Sequence, residues 1–202
     1  PWEPSQEELA YQQAYEALYG QKKDTGLLWG RAIKGQVRKI DSIIEDEDKY
    51  LDDVKDLLVE LEEYIVSIDK DNLDQVHPEY RDKMAVLDLE EVKNNNGKCY
   101  IVVEDDKAVG LIMGCIFSYD EYDYLDYKCP KRGEITELIV SKNVRSKGIG
   151  NMLMNKMEEY FKSDGCEYIL VDVFAYNENA IKFYDKNGYH SRMYTNIKKI
   201  GD

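Results

Sequence analysis

Ile135-Thr-Glu-Leu-Ile-Val140-Ser-Lys-Asn-Val-Arg145-Ser-Lys-Gly148-Ile-Gly150 is the stretch whose reading decides the fold. It opens as a strand, Ile135 to Val140. Beyond it, Ile149, Met152, Leu153, Met157, Tyr160 and Phe161 recur at the spacing of one helix face. Between strand and helix lies a loop with Arg145, Lys147 and two glycines. The start of a helix presents free N–H groups and the positive end of its dipole. A strand–loop–helix junction of this kind therefore suits a diphosphate. A triphosphatase loop would need Gly-Lys-Ser or Gly-Lys-Thr, and neither occurs here. A dinucleotide fingerprint would need a third glycine where Leu153 stands. What remains is R-x-x-G-x-G, from Arg145 to Gly150. Alone it is a weak signal, because two glycines before a helix also make an ordinary tight turn.

A second block gives the pattern its weight. Tyr168 to Phe174 reads as a strand after the Asp164-Gly165 turn. Asn177-Glu-Asn-Ala180-Ile-Lys-Phe-Tyr184-Asp-Lys-Asn-Gly188-Tyr189 then reads as a short helix with an asparagine cap and a glycine stop. With both blocks in this order, the chain resembles the GNAT superfamily of N-acyltransferases. The R/Q-x-x-G-x-G/A loop matches Arg145 to Gly150. The N-x-x-A-x-x-x-Y-x-x-x-G-[FY] block matches Asn177, Ala180, Tyr184, Gly188 and Tyr189. The resemblance covers residues 36–202, the expected acetyltransferase domain. Residues 1–35 are left as an N-terminal helical extension without a counterpart.

The fold this implies is α/β (α+β), with a mixed, mostly antiparallel central sheet of about six strands flanked by helices. Periodicity along the chain agrees with that order. Gln36 to Ile44 reads as an edge strand. Asp48 to Ile68 reads as an acidic amphipathic helix with Leu51, Val54, Leu57, Leu58, Leu61 and Ile65 on its apolar side. A second helix follows over Pro78 to Val92. Strands at Cys99 to Glu104 and Ala108 to Phe117 flank the hairpin signal Glu104-Asp-Asp-Lys107. Tyr189 to Ile200 reads as a last strand, with His190 at its start. In the extension, Ser5 and Glu8 form a capping-box pattern ahead of Tyr11, Ala14, Tyr15 and Leu18.

Composition narrows the function classes. The chain of 202 residues carries a formal charge of −14, which argues against nucleic acid as a partner and for cationic ligands. Residues 41–74 hold fourteen Asp or Glu against three Lys, a run expected to be mostly a solvated helix face. No apolar run is long enough to span a membrane, and the first residues lack the pattern of a signal peptide. Four cysteines without a C-x-x-C pair read as reduced thiols, so a cytoplasmic location is expected. Two histidines far apart exclude a histidine-rich metal site, and no metal is expected. A homodimer is open.

The resemblance also implies a chemistry. Acetyl-CoA would be the co-substrate. Its pantetheine arm would bond main-chain groups of Leu138, Ile139 and Val140. Its diphosphate would sit on the loop and helix start formed by Arg145, Ser146, Lys147, Gly148, Ile149, Gly150 and Asn151. Asn177 would contact the cofactor or fix the turn before its helix, or serve as a plain cap. Tyr184 would act as the general acid toward the departing sulfur. With 17 Tyr against 4 Phe, tyrosine as such is uninformative, and only the motif position singles it out. Glu134, Glu137 and Asp172 compete for the role of base. Strand alternation puts residues 134 and 137 on opposite faces unless a bulge intervenes. The loop from Ser118 to Tyr127 holds four acids and four tyrosines, suited to a cationic acceptor through charge and cation–π contacts, or merely solvated. The expected acceptor is a small cationic amine such as an aminoglycoside or polyamine. A protein N-terminus or lysine is the alternative acceptor, and a non-catalytic acyl-CoA sensor or assembly protein is the alternative class.

Overall fold

Acidic residues at Asp52 and Asp53 open the first long helix, where they complement its dipole. That helix, α1, spans Leu51–Ile68 and follows a single 3-10 turn at Asp48–Tyr50. The computed structural model describes residues 48–145 and 148–200. The expected extension at 1–35 and the expected strand at Gln36 to Ile44 lie outside the described residues. So do Ser146 and Lys147.

Asp69 ends α1 by turning to extended backbone. Its carboxylate then accepts the backbone N–H of Asp71 (2.8 Å) and Asp74 (3.0 Å). These bonds, Asp74 first, hold its pKa below the ordinary value. Helix α2 covers Tyr80–Asn94. Arg81 ties it back to α1 through Asp56 (2.8 Å) and Asp52 (3.0 Å).

Strands β1 (Lys98–Glu104) and β2 (Lys107–Ile116) form an antiparallel hairpin. Its turn residues Asp105 and Asp106 have φ of 51° and 61°, the left-handed pair that a tight hairpin requires. Strand β3 (Arg132–Val140) pairs antiparallel with β2. Helix α3 (Ile149–Ser163) then crosses over to β4 (Tyr168–Val171), which pairs parallel with β3. Helix α4 (Glu178–Lys186) follows. The order across the sheet is β1-β2-β3-β4.

The described residues thus hold four strands where about six are expected. One expected strand lies outside them. The other, Tyr189 to Ile200, is not a strand, and His190 is an exposed residue past the Gly188 turn. The reason is visible in its pattern. Met193 and Tyr194 are adjacent, and Ile197 and Ile200 are three apart, so no two-residue period defines a face to bury. All four are exposed, from 60% to 92%.

The core has two layers. Val54, Leu57 and Leu58 of α1 and Ala85 and Val92 of α2 pack on Ile101, Val103, Leu111, Met113 and Ile139. On the opposite face, Leu153, Met154, Met157 and Phe161 of α3 pack on Val102, Ile112 and Ile135. Phe161 is fully buried and needs space that only glycine leaves. A Cβ on Gly133 would lie 2.5 Å from its ring, and one on Gly114 would lie 2.9 Å from it. Gly133→Ala is therefore expected to lower stability by about 1–3 kcal/mol through overpacking. Thermal melts check this: G133A should melt several degrees lower, and adding Phe161→Leu should recover part of the loss.

Candidate active site

The register of β3 decides which of its side chains share a face. Met113 pairs with Glu137, but the next residue, Gly114, pairs with Ile135. Thr136 is the extra residue, a β-bulge. Cys115 pairs with Glu134. Leu111, Met113 and Ile139 belong to the layer under α1 and α2, whereas Ile112 and Ile135 belong to the layer under α3. Glu134 and Glu137 therefore lie on one face, the α1/α2 face. The alternation expected of a regular strand is corrected by the bulge.

Glu137 is the more enclosed of the two. Burial raises its carboxyl to about 7, helped by the negative charges of Asp88 on α2 and Glu62 on α1. Burial also raises Glu62, with Asp74 and Asp88 adding to it. Asp88 is raised by burial and by Glu91. The phenol of Tyr80 at the start of α2 is pushed up by burial, then by Glu62, Glu137 and Asp88. Glu134 lies nearer the far end of the strand, beside the Cys115 thiol, which burial pushes up, with Glu134 and Glu91 adding to it. Asp172 falls just past the end of β4 and is exposed. The sequence offered no signal for Glu62, Asp88 or Tyr80, because their helices carry many acids and only packing shows which of them turn inward.

Tyr184 is half-buried on α4, with its ring beside Phe183 (5.4 Å) and Tyr189 (5.7 Å). Burial, then the nearby charge of Glu137, pushes its phenol up to about 12. It holds its proton throughout the neutral range, as a donor must. Asn177 caps α4: its Oδ1 accepts the N–H of Ala180 (3.1 Å) and the hydroxyl of Tyr64 on α1 (3.3 Å). The plain cap is thus accounted for, and Tyr64 is an added partner.

Strand β4 pairs with β3 only from Arg132 to Ile135. Among the described residues, the edge of β3 from Thr136 to Val140 has no strand beside it on that side. Leu138, Ile139 and Val140 lie along this edge, which leaves main-chain groups available to an extended, amide-bearing ligand. Ile139 turns its side chain into the α1/α2 layer, and Leu138 and Val140 pack on the α3 layer.

The loop that follows is held by α1. The carboxylate of Glu60 accepts the hydroxyl of Ser141 (3.1 Å) and the N–H of Lys142 (2.8 Å). Arg145 donates Nε–H to the carbonyl of Val140 (3.0 Å) and stands 4.0 Å from Glu60 and over the Tyr64 ring. Gly148 begins α3 at φ 81°, in the left-handed region that favours glycine. Among the described residues no side chain caps this helix, and a Cβ on Gly148 would meet nothing within 4 Å. Open space over an uncapped helix start fits a diphosphate. Gly150 does something else: its missing Cβ admits Phe183 of α4, 3.3 Å away. Ile149 turns its side chain into the core, and exposed Asn151 accepts from Asn187 (3.3 Å). Among the described residues, no three His, Cys, Asp or Glu side chains are grouped to hold a metal ion, and no helix is long and apolar enough to cross a membrane.

Comparison with known proteins bears on the family and the fold. A sequence model of the acetyltransferase (GNAT) family matches residues 60–189. An uncharacterized N-acetyltransferase of Methanocaldococcus jannaschii is 34% identical over 96 residues, 46% of this chain and 54% of that protein. Glucosamine 6-phosphate N-acetyltransferase 1 of Dictyostelium discoideum is 25% identical over 96 residues, 48% of this chain and 59% of that protein. The chain thus spans little more than half the length of these curated relatives. Among solved structures, a GCN5-related N-acetyltransferase from Ralstonia eutropha aligns with a TM-score of 0.57 at 19% identity, over 75% of this chain and 95% of that one. That likeness is one of fold.

Proposed function

We propose, on the premise that the chain belongs to the GNAT acetyltransferase family, that it transfers an acetyl group from acetyl-CoA to the primary amine of a small cationic acceptor. The observation that carries this is Glu137, enclosed beneath α1 and α2 among Glu62, Asp88 and Tyr80 and near enough to Tyr184 for its charge to act on that phenol.

The uncapped start of α3 at Gly148 to Asn151, with Ser146 and Lys147 before it, would hold the diphosphate, and the free edge of β3 at Leu138 to Val140 would hold the arm. When bound there, the cofactor supplies an activated acyl group as a thioester. The residues of the chain supply orientation and proton transfers. Glu62 and Asp88 attract the acceptor ammonium to Glu137. Glu137, poised near neutrality, takes a proton from it, which frees the lone pair for direct attack in a ternary complex. Tyr184 gives its proton to the sulfur as the C–S bond breaks and the C–N bond forms. The nitrogen sheds a second proton as the adduct collapses, which replaces the one that Tyr184 gave to sulfur, and Glu137 releases the first to solvent.

Three carboxylates in one place disfavour an acceptor bearing a phosphate. Glucosamine 6-phosphate, named in one relative, would bring its own negative charge to Glu62 and Asp88. A thiol-release assay with spermidine, an aminoglycoside, glucosamine, glucosamine 6-phosphate and a lysine peptide tests the reading, with a no-acceptor control. Acetyl-dependent release is expected with the polycationic amines and weakest with the phosphorylated sugar. Binding of acetyl-CoA without turnover on any amine would overturn catalysis in favour of a sensor.

A further inference from the structure

Twelve large apolar side chains stand exposed among the described residues, and eight of them fall in two short segments. A monomer rarely gathers bare apolar surface in this way. Four are Tyr122, Tyr124, Leu125 and Tyr127, in the loop between β2 and β3, exposed from 49% to 68%. The other four are Met193, Tyr194, Ile197 and Ile200, in the segment 190–200 that follows the Gly188 turn.

The loop is a fastened platform. At its base Tyr119 donates its hydroxyl to the carbonyl of Pro130 (2.9 Å), and the Arg132 guanidinium lies 3.5 Å over the Phe117 ring. Asp120 accepts the backbone N–H of Asp123 (3.1 Å), and Asp123 accepts that of Asp120 (2.7 Å). The segment is held at its root, where Tyr189 donates to Glu158 (3.2 Å), and is exposed from there on. The two are opposite in charge. Residues 118–127 carry four acids and no base, whereas residues 190–200 carry Arg192, Lys198 and Lys199 and no acid, in a chain of formal charge −14. Both stand bare at once in the same chain, so one copy does not satisfy its own pair.

We infer that the segment 190–200 of one copy docks on the 118–127 loop of a second copy, reciprocally, in a two-fold dimer. The bases meet the acids and the faces of the tyrosines, while Met193, Ile197 and Ile200 cover Leu125 and the rings. Opposite charge steers the encounter and sets the register. One such contact is small, and the two-fold axis doubles the area that it buries. The inference stands apart from the acetyltransferase reading.

Sedimentation of the full chain tests it. Wild type should dimerise at low salt, and the dimer should weaken at about 1 M salt, where charges are screened within roughly 3 Å. Lys198→Glu with Lys199→Glu should weaken it roughly tenfold or more, since two attractions become repulsions. Glu121→Lys with Asp126→Lys should do the same. Neither of those carboxylates fastens the turn, so both variants should keep the wild-type melting temperature. Mixed together, the variants still offer one intact segment and one intact loop, and they should pair with each other more tightly than either pairs with itself. Wild type that stays monomeric overturns the inference, whether the segment then lies on its own loop or on an anionic surface. So does a dimer that either pair of reversals leaves unchanged, or a mixture in which the two variants do not pair.

Discussion

Glu137→Gln is expected to lower kcat by about 10²–10⁴-fold, the usual contribution of a positioned base. The pH profile is the sharper readout. With its carboxyl at about 7, Glu137 is a mixture of acid and base at neutral pH. The fraction able to accept a proton grows as pH rises through that value. Wild-type kcat/KM should therefore climb through about pH 7, and this limb should vanish in E137Q. Glu134→Gln should leave it in place. If E137Q keeps the limb and E134Q loses it, the two roles are exchanged.

The same carboxyl makes a stability claim of opposite sign. Its folded value lies above the ordinary glutamate value of 4.5. Between 4.5 and about 7 the folded chain binds a proton that the unfolded chain has released, so stability falls as pH rises across that window. The upper size of this effect is roughly 3 kcal/mol. E137Q carries no charge to desolvate, so at pH 8 it should melt higher than wild type while being far less active. A variant that is slower and also less stable would indicate a damaged fold.

Tyr184→Phe should carry the second large effect, a fall in kcat of about 10²-fold with little change in acetyl-CoA affinity. The phenol is held at about 12 by burial and by Glu137, so wild type shows no loss of this proton below pH 10. The ring packs beside Phe183 and Tyr189, and phenylalanine keeps that packing. Calorimetry of acetyl-CoA binding together with single-turnover acetyl transfer separates the two quantities. Unchanged turnover would remove Tyr184 from the mechanism; weakened binding with unchanged turnover would make it a cofactor contact.

How far the sequence reached depends on the range of the interaction. The glycine loop and the Asn177 cap are local, within a turn or two of chain, and both were readable. Gly148 adopts the left-handed backbone that its place before α3 requires. Asn177 caps α4 through Ala180. The β1–β2 hairpin was also local, two aspartates between two apolar runs. The bulge at Thr136 was not readable, because it is a property of the pairing of β3 with β2 and leaves no mark on β3 alone. With it went the assignment of Glu134 and Glu137 to opposite faces. Gly150 also makes room for Phe183, 33 positions later, a contact no motif spacing encodes. The acidic surroundings of Glu137 failed for a different reason. Among the many acids of α1 and α2, composition cannot say that Glu62 and Asp88 turn inward while Asp52 and Asp56 answer to Arg81.

Helix α1 holds both halves of the proposed reaction. Glu60 grips the loop at Ser141 and Lys142, Tyr64 steadies the cap of α4, and Glu62, between them, belongs to the carboxylates around Glu137. In the proposed reaction, grip on the nucleotide and taste for the amine would thus be mounted on a single rod, less than two turns long at that point. Selection for a new amine that tilts this rod would disturb the nucleotide grip as well, so acceptor range in this lineage should drift through α2, whose Asp88 and Tyr80 are free of that second duty.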